Sequence, residues 1–271
     1  MSEFINVVRS AADGGLDGVS DAIILAMGVV CGLLIIVSIF ALGVSIFLAI
    51  SYVRYNKKQN SCGKTGEQIA RTILDRNGLG KIKVSKTGSI LFGNSYSHYF
   101  KKVRLRRLTW KKQSVTSLAM AAQKSALAVL DKENDADMRT RVRLTPLIYF
   151  GPIAFIPMVI IGALLDLFVL KNANGICTIL LTSIGLAFYL LSFIMSIIVL
   201  KTEKKAQKRA YEIMKEEGLA TAEELEMCKK LFRLYNIEYI NDMVIALLEL
   251  IYRVLQIIAY VQNSSSSSSK S

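Results

Sequence analysis

Polar and apolar residues are sharply segregated along this chain. Residues 22–53 contain no charged side chain, residues 146–170 and 176–200 are apolar apart from Asp166, and residues 239–262 are mainly apolar. A helix needs about 20 predominantly apolar residues to cross the hydrocarbon core of a bilayer. The pattern therefore predicts a polytopic membrane protein with four transmembrane helices, one in each of these blocks.

The two polar blocks between the spans predict a small cytoplasmic α+β domain assembled from residues 54–145 and 201–238. In the first block, Thr65 and Gln68 have the spacing of a capping box, and residues 114–130 have a strong helical pattern. In the second block, residues 201–217 are expected to continue the third span as a helix. Short segments that predict strands are 81–85, 88–93 and 99–105. The expected fold is mainly α.

Two terminal segments lie outside this architecture. Residues 1–21 are small and acidic, and we expect them to form an extracytoplasmic segment before the first span. That span does not have the form of a cleavable signal peptide, because Arg9 is the one base among the residues that precede it. Residues 263–271 are rich in Ser and are predicted to be a disordered tail.

The basic residues are concentrated in the first polar block. Of the 34 Lys and Arg in the chain, 21 lie in residues 54–145, against six acids. Because loops rich in Lys and Arg remain in the cytoplasm, both polar blocks are predicted to be cytoplasmic and both termini outside. The net charge of +13 favours contact with anionic lipid headgroups. Nucleic-acid binding is the less favoured explanation, since no nucleic-acid module signature accompanies the basic residues.

The cysteines and the single histidine do not predict a metal site. Cys31 and Cys177 lie in apolar blocks, Cys62 and Cys228 lie in the predicted cytoplasmic blocks, and His98 stands alone. The chain contains no C-x-x-C motif. We therefore expect no disulfide framework, no Cys/His zinc site and no cofactor.

Three stretches carry a resemblance to a known family. Residues 61–79 read SCGKTGEQIARTILDRNGL and are similar to the signature S-G-x-T-G-x-E-x-A-R-x-I-L-D-x-N-G-L of the YugP-like neutral zinc metallopeptidases. Residues 98–106 resemble the family's H-Y-D…V-R-L-S stretch, and residues 203–210 (EKKAQKRA) resemble its E-F-D-A-S-x-R-A motif. The resemblance covers about residues 54–262. It implies a peptidase-like domain in a multi-pass protein of the bacterial cell membrane.

The chain departs from this family at the zinc-binding helix. The family pattern A-A-H-E-x-G-H-A places two His one helical turn apart, with a Glu between them as general base. Ungapped alignment puts these three positions on Gln123, Lys124 and Leu127, the downstream acidic ligand on Glu203, and a family Arg on Arg141. One carboxylate is too few for a zinc site, which needs three or four protein ligands. The resemblance therefore implies a pseudopeptidase with no catalytic residues and no metal.

A metal site that has lost its metal still has a carboxylate to neutralise. A buried Glu203 without a positive partner would be costly. We therefore predict a salt bridge between Lys124 and Glu203, with Lys205 as the second candidate cation. Such a pair would join helix 114–130 to the cytoplasmic extension of the third span. The alternative is that Lys124 points to solvent.

Four polar side chains fall on one face of the last span. Asp242, Glu249, Arg253 and Gln256 are separated by seven, four and three residues, and Glu249 and Arg253 suit an i,i+4 ion pair. Ionisable groups at membrane depth are costly and are functional candidates by default. Two interpretations stay open, a polar pathway or partner contact and a neutralised pair that locks the helices together.

These patterns favour a non-enzymatic function. We expect an inactive metallopeptidase-like protein that acts as an interaction or assembly subunit of a bacterial membrane complex, with the bilayer and other protein subunits as partners. One alternative is a complex component that forms a polar or transport pathway along the stripe on the last helix. The other is a peptidase with an atypical site, for which a bound metal would be the distinguishing observation.

Overall fold

The computed structural model describes residues 5–6, 19–87, 93–170 and 175–268, except for the side chains of 146–154 and 264–268. The described chain is mainly helical, with one small sheet. In chain order the elements are α1 Asp21–Lys57, α2 Gly66–Arg76, β1 Lys83–Thr87, β2 Ser95–Ser97, β3 Lys102–Arg106, α3 Arg107–Lys111, α4 Val115–Lys132, α5 Ala136–Leu164 with a π-helical continuation Leu165–Leu170, α6 Ile176–Glu216 and α7 Ala222–Ser268.

Three helices of the described chain are long and apolar enough to cross a membrane. They are Asp21–Lys57, Ile176–Glu216 and the part of α7 from Ala222 to Asn263. The predicted span over 146–170 is not among them; of its described residues, Phe155–Leu170 form a shorter apolar helix. Within the described chain, length and composition support three spans.

The chain divides into two compact units. The first comprises residues 1–40, 145–196 and 241–271, and the second comprises residues 41–144 and 197–240. Long helices contribute to both units, since α1, α5, α6 and α7 each cross a boundary between them. The second unit contains the sheet, most of the charged residues and the candidate site described below.

Asp166, the one charged residue of the block 146–170, has a structural role. Asp166 in the π-helical continuation is buried, and its carboxylate accepts hydrogen bonds from the backbone N–H groups of Cys177 and Thr178, at 2.9 and 2.7 Å, and from the Thr178 hydroxyl at 2.7 Å. These N–H groups are in the first turn of α6, where no intrahelical acceptor is available. Asp166 therefore caps α6.

The sheet has the strand order β1-β3-β2. Strand β1 is parallel to β3, with Val84 opposite Val103, and β2 is antiparallel to β3, with Tyr96 opposite Val103. The central strand alternates between partly exposed and buried residues, and Val103 and Leu105 are buried in the same core as α2 and α4. This alternation is the expected pattern for a sheet with one covered face.

The strands differ from the predicted segments because of a tight turn. Lys101 has a positive φ of 42°, and its N–H donates to the carbonyl of His98, which is 3.1 Å away. This turn shortens the predicted strand 99–105 to β3. The predicted strand 88–93 lies almost entirely outside the described residues, and β2 begins after it.

Helix α2 begins as the sequence predicts. The Thr65 hydroxyl accepts from the N–H of Gln68 at 3.3 Å, and the Gln68 side chain accepts from the N–H of Thr65 at 2.9 Å. This capping box positions Gly66 against the backbone of α3. A Cβ atom built on Gly66 would lie 2.2 Å from the Thr109 carbonyl oxygen, so only glycine fits there.

We expect Gly66→Ala to destabilise the second unit by about 1–3 kcal/mol, which is the usual cost of forcing extra volume into a packed site. The added methyl group would displace the backbone at Thr109, which is buried. Thermal unfolding of the purified protein in detergent measures the effect. The control is Glu67→Ala, one residue along and exposed, which should melt close to the wild type. Equal melting temperatures for the two variants would contradict the close packing described here.

The structure describes only part of the two predicted terminal segments. Helix α7 continues to Ser268, so residues 263–268 of the predicted Ser-rich tail are helical in the structure. The physical reason is that a long helix already in place extends by one hydrogen bond for each residue fixed, and serine does not break that ladder. Residues 269–271 and most of the predicted segment 1–21 lie outside the described residues.

Candidate functional site

The helix at the centre of the site, α4, is buried along almost its whole length. Residues 115–130 are all buried, although they include polar side chains. Its start is held by Ser114, whose hydroxyl accepts from the Ser117 N–H at 3.1 Å and donates to Asn56 Oδ1 at 2.8 Å. The many Ala and Ser residues allow neighbouring elements to approach closely. A polar side chain on this helix must therefore find its partner inside the protein.

The structure brings Gln123 and Lys124 of α4 onto Glu203 of α6. Gln123 Nε2 and Lys124 Nζ both lie 2.8 Å from Glu203 Oε2. The side chains of Lys124 and Glu203 are only 8% and 2% exposed, so this ion pair is largely shielded from solvent. The geometry is that of the predicted Lys124–Glu203 pair, and the alternative, in which Lys124 points to solvent, does not describe the structure.

A third donor comes from α5. Arg141 Nη2 lies 2.9 Å from Glu203 Oε1, and Arg141 Nη1 lies 2.9 Å from the hydroxyl oxygen of Thr202. Each oxygen of the Glu203 carboxylate thus accepts at least one charge-assisted hydrogen bond. Two cations face one carboxylate, and the local formal charge is therefore positive.

The electrostatic balance favours the ionised form of Glu203. Burial acts most strongly and would raise the pKa of the carboxyl, but the charges and hydrogen bonds of Lys124 and Arg141 together hold this pKa below its ordinary value. The carboxylate therefore remains ionised at neutral pH. In this geometry the carboxylate balances one of the two positive charges that the buried Lys124 and the partly buried Arg141 contribute.

Lys205, the second candidate partner of Glu203, pairs elsewhere. Its Nζ lies 2.8 Å from Asp135 Oδ2 and also contacts Asp137, which in addition pairs with Lys201 at 2.9 Å. The hydrogen bonds from Lys205 and Lys201 lower the pKa of Asp137. This surface cluster joins the start of α5 to α6, so Lys205 does not contribute to the buried pair.

Within the described residues, neither Leu127 nor His98 belongs to a group of three or more side chains that could hold a metal. Leu127 is 1% exposed and belongs to the hydrophobic core. His98 Nδ1 lies 2.6 Å from Asp131 Oδ2, which also accepts from the Tyr96 hydroxyl at 2.6 Å. Burial, followed by the hydrogen bond to Asp131, raises the pKa of Tyr96.

The donors around Glu203 do not fit a zinc ion. Zinc in proteins takes three or four ligands from Cys, His, Asp and Glu. In the part of the chain that the structure describes, no three such residues come together to hold a metal. Glu203 is the one carboxylate of the site, and the groups nearest to it are an ammonium, a guanidinium and an amide. An ammonium and a guanidinium donate hydrogen bonds and repel a metal cation.

The cavity beside the site is small. It has a volume of about 130 Å³ and is lined by polar and aromatic residues on several elements, among them Arg106, Met120, Gln123, Lys124, Tyr235 and Tyr239. Ligand pockets usually measure about 300–1,000 Å³, and a water molecule takes about 30 Å³ in the liquid. The cavity is therefore of a size for a few water molecules and does not accommodate a peptide segment.

The polar residues of the last span have partners in the first unit. Glu249 accepts a hydrogen bond from the Tyr189 hydroxyl on α6. Arg253 donates to Gln256 Oε1 at 3.0 Å, and its guanidinium lies 5.3 Å from the centre of the Phe155 ring on α5. The i,i+4 ion pair expected between Glu249 and Arg253 is therefore replaced by separate contacts, because a phenol and an aromatic face are available.

Asp242, the remaining member of the stripe, has an exposed side chain. Its neighbour Asn241 is buried, and the Nδ2 atom of Asn241 has no hydrogen-bond partner within the described chain. The four residues of the stripe thus do not form one network in this unit.

Sequence reasoning missed the part that Arg141 and Gln123 play as donors to Glu203. The sequence offered one indication for Arg141, because ungapped alignment places an Arg of the resembling family at this position. Gln123 had none beyond its position one residue before Lys124. Both roles depend on contacts across about 60 to 80 residues of chain, which local spacing does not report.

Comparison with known proteins agrees with the membrane peptidase resemblance. A family profile described as "Putative neutral zinc metallopeptidase" matches residues 30–258. The chain is 25% identical over 227 residues to "Putative membrane protease YugP" of Bacillus subtilis (strain 168), an alignment that covers 82% of this chain and 96% of that protein. No solved structure matches the chain. Because the profile extends over most of its length, the chain belongs to the neutral zinc metallopeptidase family that this description names.

Proposed function

We propose that this chain is a catalytically inactive member of its family and acts as an interaction or assembly subunit in a bacterial membrane. The observation that carries the proposal is the state of Glu203. Its carboxylate is buried and bound by Gln123, Lys124 and Arg141. A carboxylate engaged in this way is not free to bind a metal, and in the family resemblance Glu203 occupies the position of a metal ligand.

The chemistry of Lys124 supports the same proposal. In the resemblance this residue takes the position of the glutamate that removes a proton from water. A general base must be unprotonated at the working pH and within reach of the water. The Lys124 amino group instead lies 2.8 Å from the Glu203 carboxylate, beside a cavity with no room for a peptide.

An assembly role has a candidate surface in the second unit. An open groove of about 920 Å³ runs along the polar parts of α6 and α7. At one point Gln207 and Asn236 exchange two hydrogen bonds, at 3.0 and 2.8 Å, and these bonds hold the two helices together. Tyr211, which is partly exposed, also lines the groove, whereas Phe232 lies in the hydrophobic core beneath it. A tyrosine in an open groove is typical of surfaces that contact other proteins.

The polar-pathway alternative receives less support. Glu249 accepts a hydrogen bond from Tyr189. Arg253 contacts the Phe155 ring and donates a hydrogen bond to Gln256. These contacts favour a structural role for the stripe, in which its side chains hold α7 against α5 and α6. The atypical-peptidase alternative is addressed by assay.

We expect the purified full-length protein to hydrolyse peptides no faster than its own Lys124→Ala variant. The physical reason is that Lys124 is not an available base. The measurement is release of fluorescence from a mixed library of quenched peptides, in detergent and in vesicles, with zinc added. Activity that is retained by wild type and lost in both Lys124→Ala and Glu203→Ala would contradict the proposed inactivity.

We further propose a four-span topology in which residues 54–145 and 201–238 are cytoplasmic and both termini are outside. The excess of Lys and Arg in the first polar block supports this orientation. The fourth span would be formed by 146–170, where the helix described from Ala136 continues to Leu164 and the chain then extends as a π-helix to Leu170.

The topology is testable by labelling single cysteines in intact cells. In a cysteine-free background, we expect Lys112→Cys to be protected from a membrane-impermeant maleimide and Asn263→Cys to react with it. Permeabilised cells provide the control for Lys112→Cys, which should then react fully. Labelling of Lys112→Cys from outside, or protection of Asn263→Cys, would reverse the proposed orientation.

A further inference from the structure

We propose that the junction between α1 and the polar part of α7 is a binding site for an acidic phospholipid. The site is a groove of about 1,040 Å³ within the second unit. It is independent of the metal chemistry and of the proposed loss of peptidase activity, since none of its residues belongs to the Glu203 cluster. Its lining changes from apolar to cationic along α1.

The lining residues of α1 fall on one helical face. Ile50, Val53, Arg54 and Lys57 are separated by three, one and three residues, which is the spacing of one side of a helix. Ile50 and Val53 are apolar and 60% and 53% exposed. They belong to the uncharged block that forms the candidate span, and Arg54 is the first charged residue after that block. The face is therefore apolar at membrane depth and cationic at the membrane surface.

The opposite wall of the groove comes from α7. It contributes Glu223, Met227 and Lys230, again at the spacing of one helical face. Glu223 is the one acidic residue of the lining, and it is paired with Lys58, whose Nζ lies 2.6 Å from its carboxylate. The single negative charge is thus already neutralised within the groove.

Three cations are left to face a ligand. Arg54, Lys57 and Lys230 have exposed side chains, and among the described residues none of them has a carboxylate within ion-pair distance. A lipid phosphate at the membrane surface would satisfy these cations. The acyl chain of the same lipid would cover Ile50 and Val53.

The chemistry points to a lipid in preference to a free phosphate. A soluble phosphate would satisfy the cations and leave the two apolar side chains uncovered. A glycerophospholipid with a net negative headgroup matches both halves of the groove, and juxtamembrane Lys and Arg are the residues that attract such lipids. Phosphatidylglycerol is a suitable probe because it carries a full negative charge, whereas phosphatidylcholine of the same chain length is neutral overall.

The test places a fluorophore beside the groove and asks which lipid lies next to it. Ile46→Cys is on the same face of α1, one turn from Ile50, and is exposed. The full chain, otherwise free of cysteine, is labelled at this position and reconstituted in vesicles of equal parts phosphatidylglycerol and phosphatidylcholine. One lipid at a time carries brominated acyl chains that quench the fluorophore on contact.

We expect brominated phosphatidylglycerol to quench more strongly than brominated phosphatidylcholine. Replacement of Arg54, Lys57 and Lys230 by Gln should lower this preference at least about fivefold, because each cation near an anionic surface contributes about that factor. The matched control replaces Lys204, Lys208 and Lys215 by Gln. It removes the same charge from α6, outside the groove, and should retain the preference.

A charge-preserving variant separates binding from folding. The combination of Arg54→Lys, Lys57→Arg and Lys230→Arg should keep the preference for phosphatidylglycerol. Equal quenching by the two lipids in the wild-type protein would overturn the proposal. Equal loss of the preference in both Gln variants would also overturn it, because the preference would then depend on the overall surface charge and not on the groove. Loss of the preference on addition of soluble glycerol phosphate would indicate that the groove binds a free phosphate, which would overturn the proposal as well.

Discussion

Replacing Glu203 with alanine is expected to destabilise the second unit by about 3–5 kcal/mol, the usual cost of breaking a buried ion pair from one side. The variant leaves the buried Lys124 ammonium without its carboxylate and removes one partner of the partly buried Arg141. Chemical denaturation in mixed micelles, followed by circular dichroism, measures the loss. Glu216→Ala, an exposed glutamate further along α6, is the matched control and should change stability little.

A double-mutant cycle isolates the pair itself. Lys124→Met and Glu203→Gln should each destabilise the protein, and the double variant should recover part of the loss. The coupling energy is expected to be about 1 kcal/mol or more, since the two groups are in contact and shielded from water. A coupling energy near zero would mean that the bridge does not contribute to stability.

The same carboxylate gives the unit a defined acid sensitivity. Because the pKa of Glu203 is lower in the folded protein than its ordinary value of 4.5, the unfolded state binds its proton more readily. The stabilisation is therefore fully present above pH 4.5 and is lost as the pH falls through the folded-state pKa. In Glu203→Gln this part of the acid dependence should disappear.

Restoring the family's zinc-binding residues is expected to give the protein a zinc site. The variant that combines Gln123→His, Lys124→Glu and Leu127→His should bind about one zinc ion per chain, with Glu203 as the third protein ligand. Two imidazoles at an i,i+4 spacing lie on one helical face, and the structure already brings Gln123 within 2.8 Å of the Glu203 carboxylate. Removal of the Lys124 ammonium also removes the nearest positive charge.

The control for this experiment omits one ligand. Gln123→His with Lys124→Glu alone leaves Leu127 in the core, and two protein ligands should not hold zinc through gel filtration. A folded triple variant that contains no zinc would show that these positions do not converge on one ion. The account of the site as a former metal centre would then be wrong.

The sequence was informative where the physical signal is local. The capping box at Thr65 and the helical pattern of α4 depend on neighbours a few residues apart, and both are present in the structure. The partner of Lys124 was also predictable, because a buried carboxylate requires a cation and the family spacing identified the carboxylate.

The sequence was less informative where side chains compete for partners. Lys205 was a candidate for Glu203, but Asp135 and Asp137 lie closer to it in the folded chain. Arg141 joined Glu203 instead, from another helix. The outcome depends on the orientation of three helices, and periodicity within each helix does not contain that information.

The same limit applies in the membrane-spanning helices. The spacing of Glu249 and Arg253 allowed an ion pair on one helix, and the structure gives each of them a different partner. Tyr189 and Phe155 come from other helices. Helical spacing identified which side chains share a face, and the packing of neighbouring helices decided what those side chains contact.

We propose that this family member does not carry the zinc ion of its family. The most direct measurement is elemental analysis of the wild-type protein, purified without chelator and exposed to equimolar zinc before gel filtration, beside the restored triple variant. We predict zinc far below stoichiometric amounts in the wild type, because its candidate site presents one carboxylate that is already bound by Lys124 and Arg141. About one zinc ion per wild-type chain, lost on Glu203→Ala, would contradict the account.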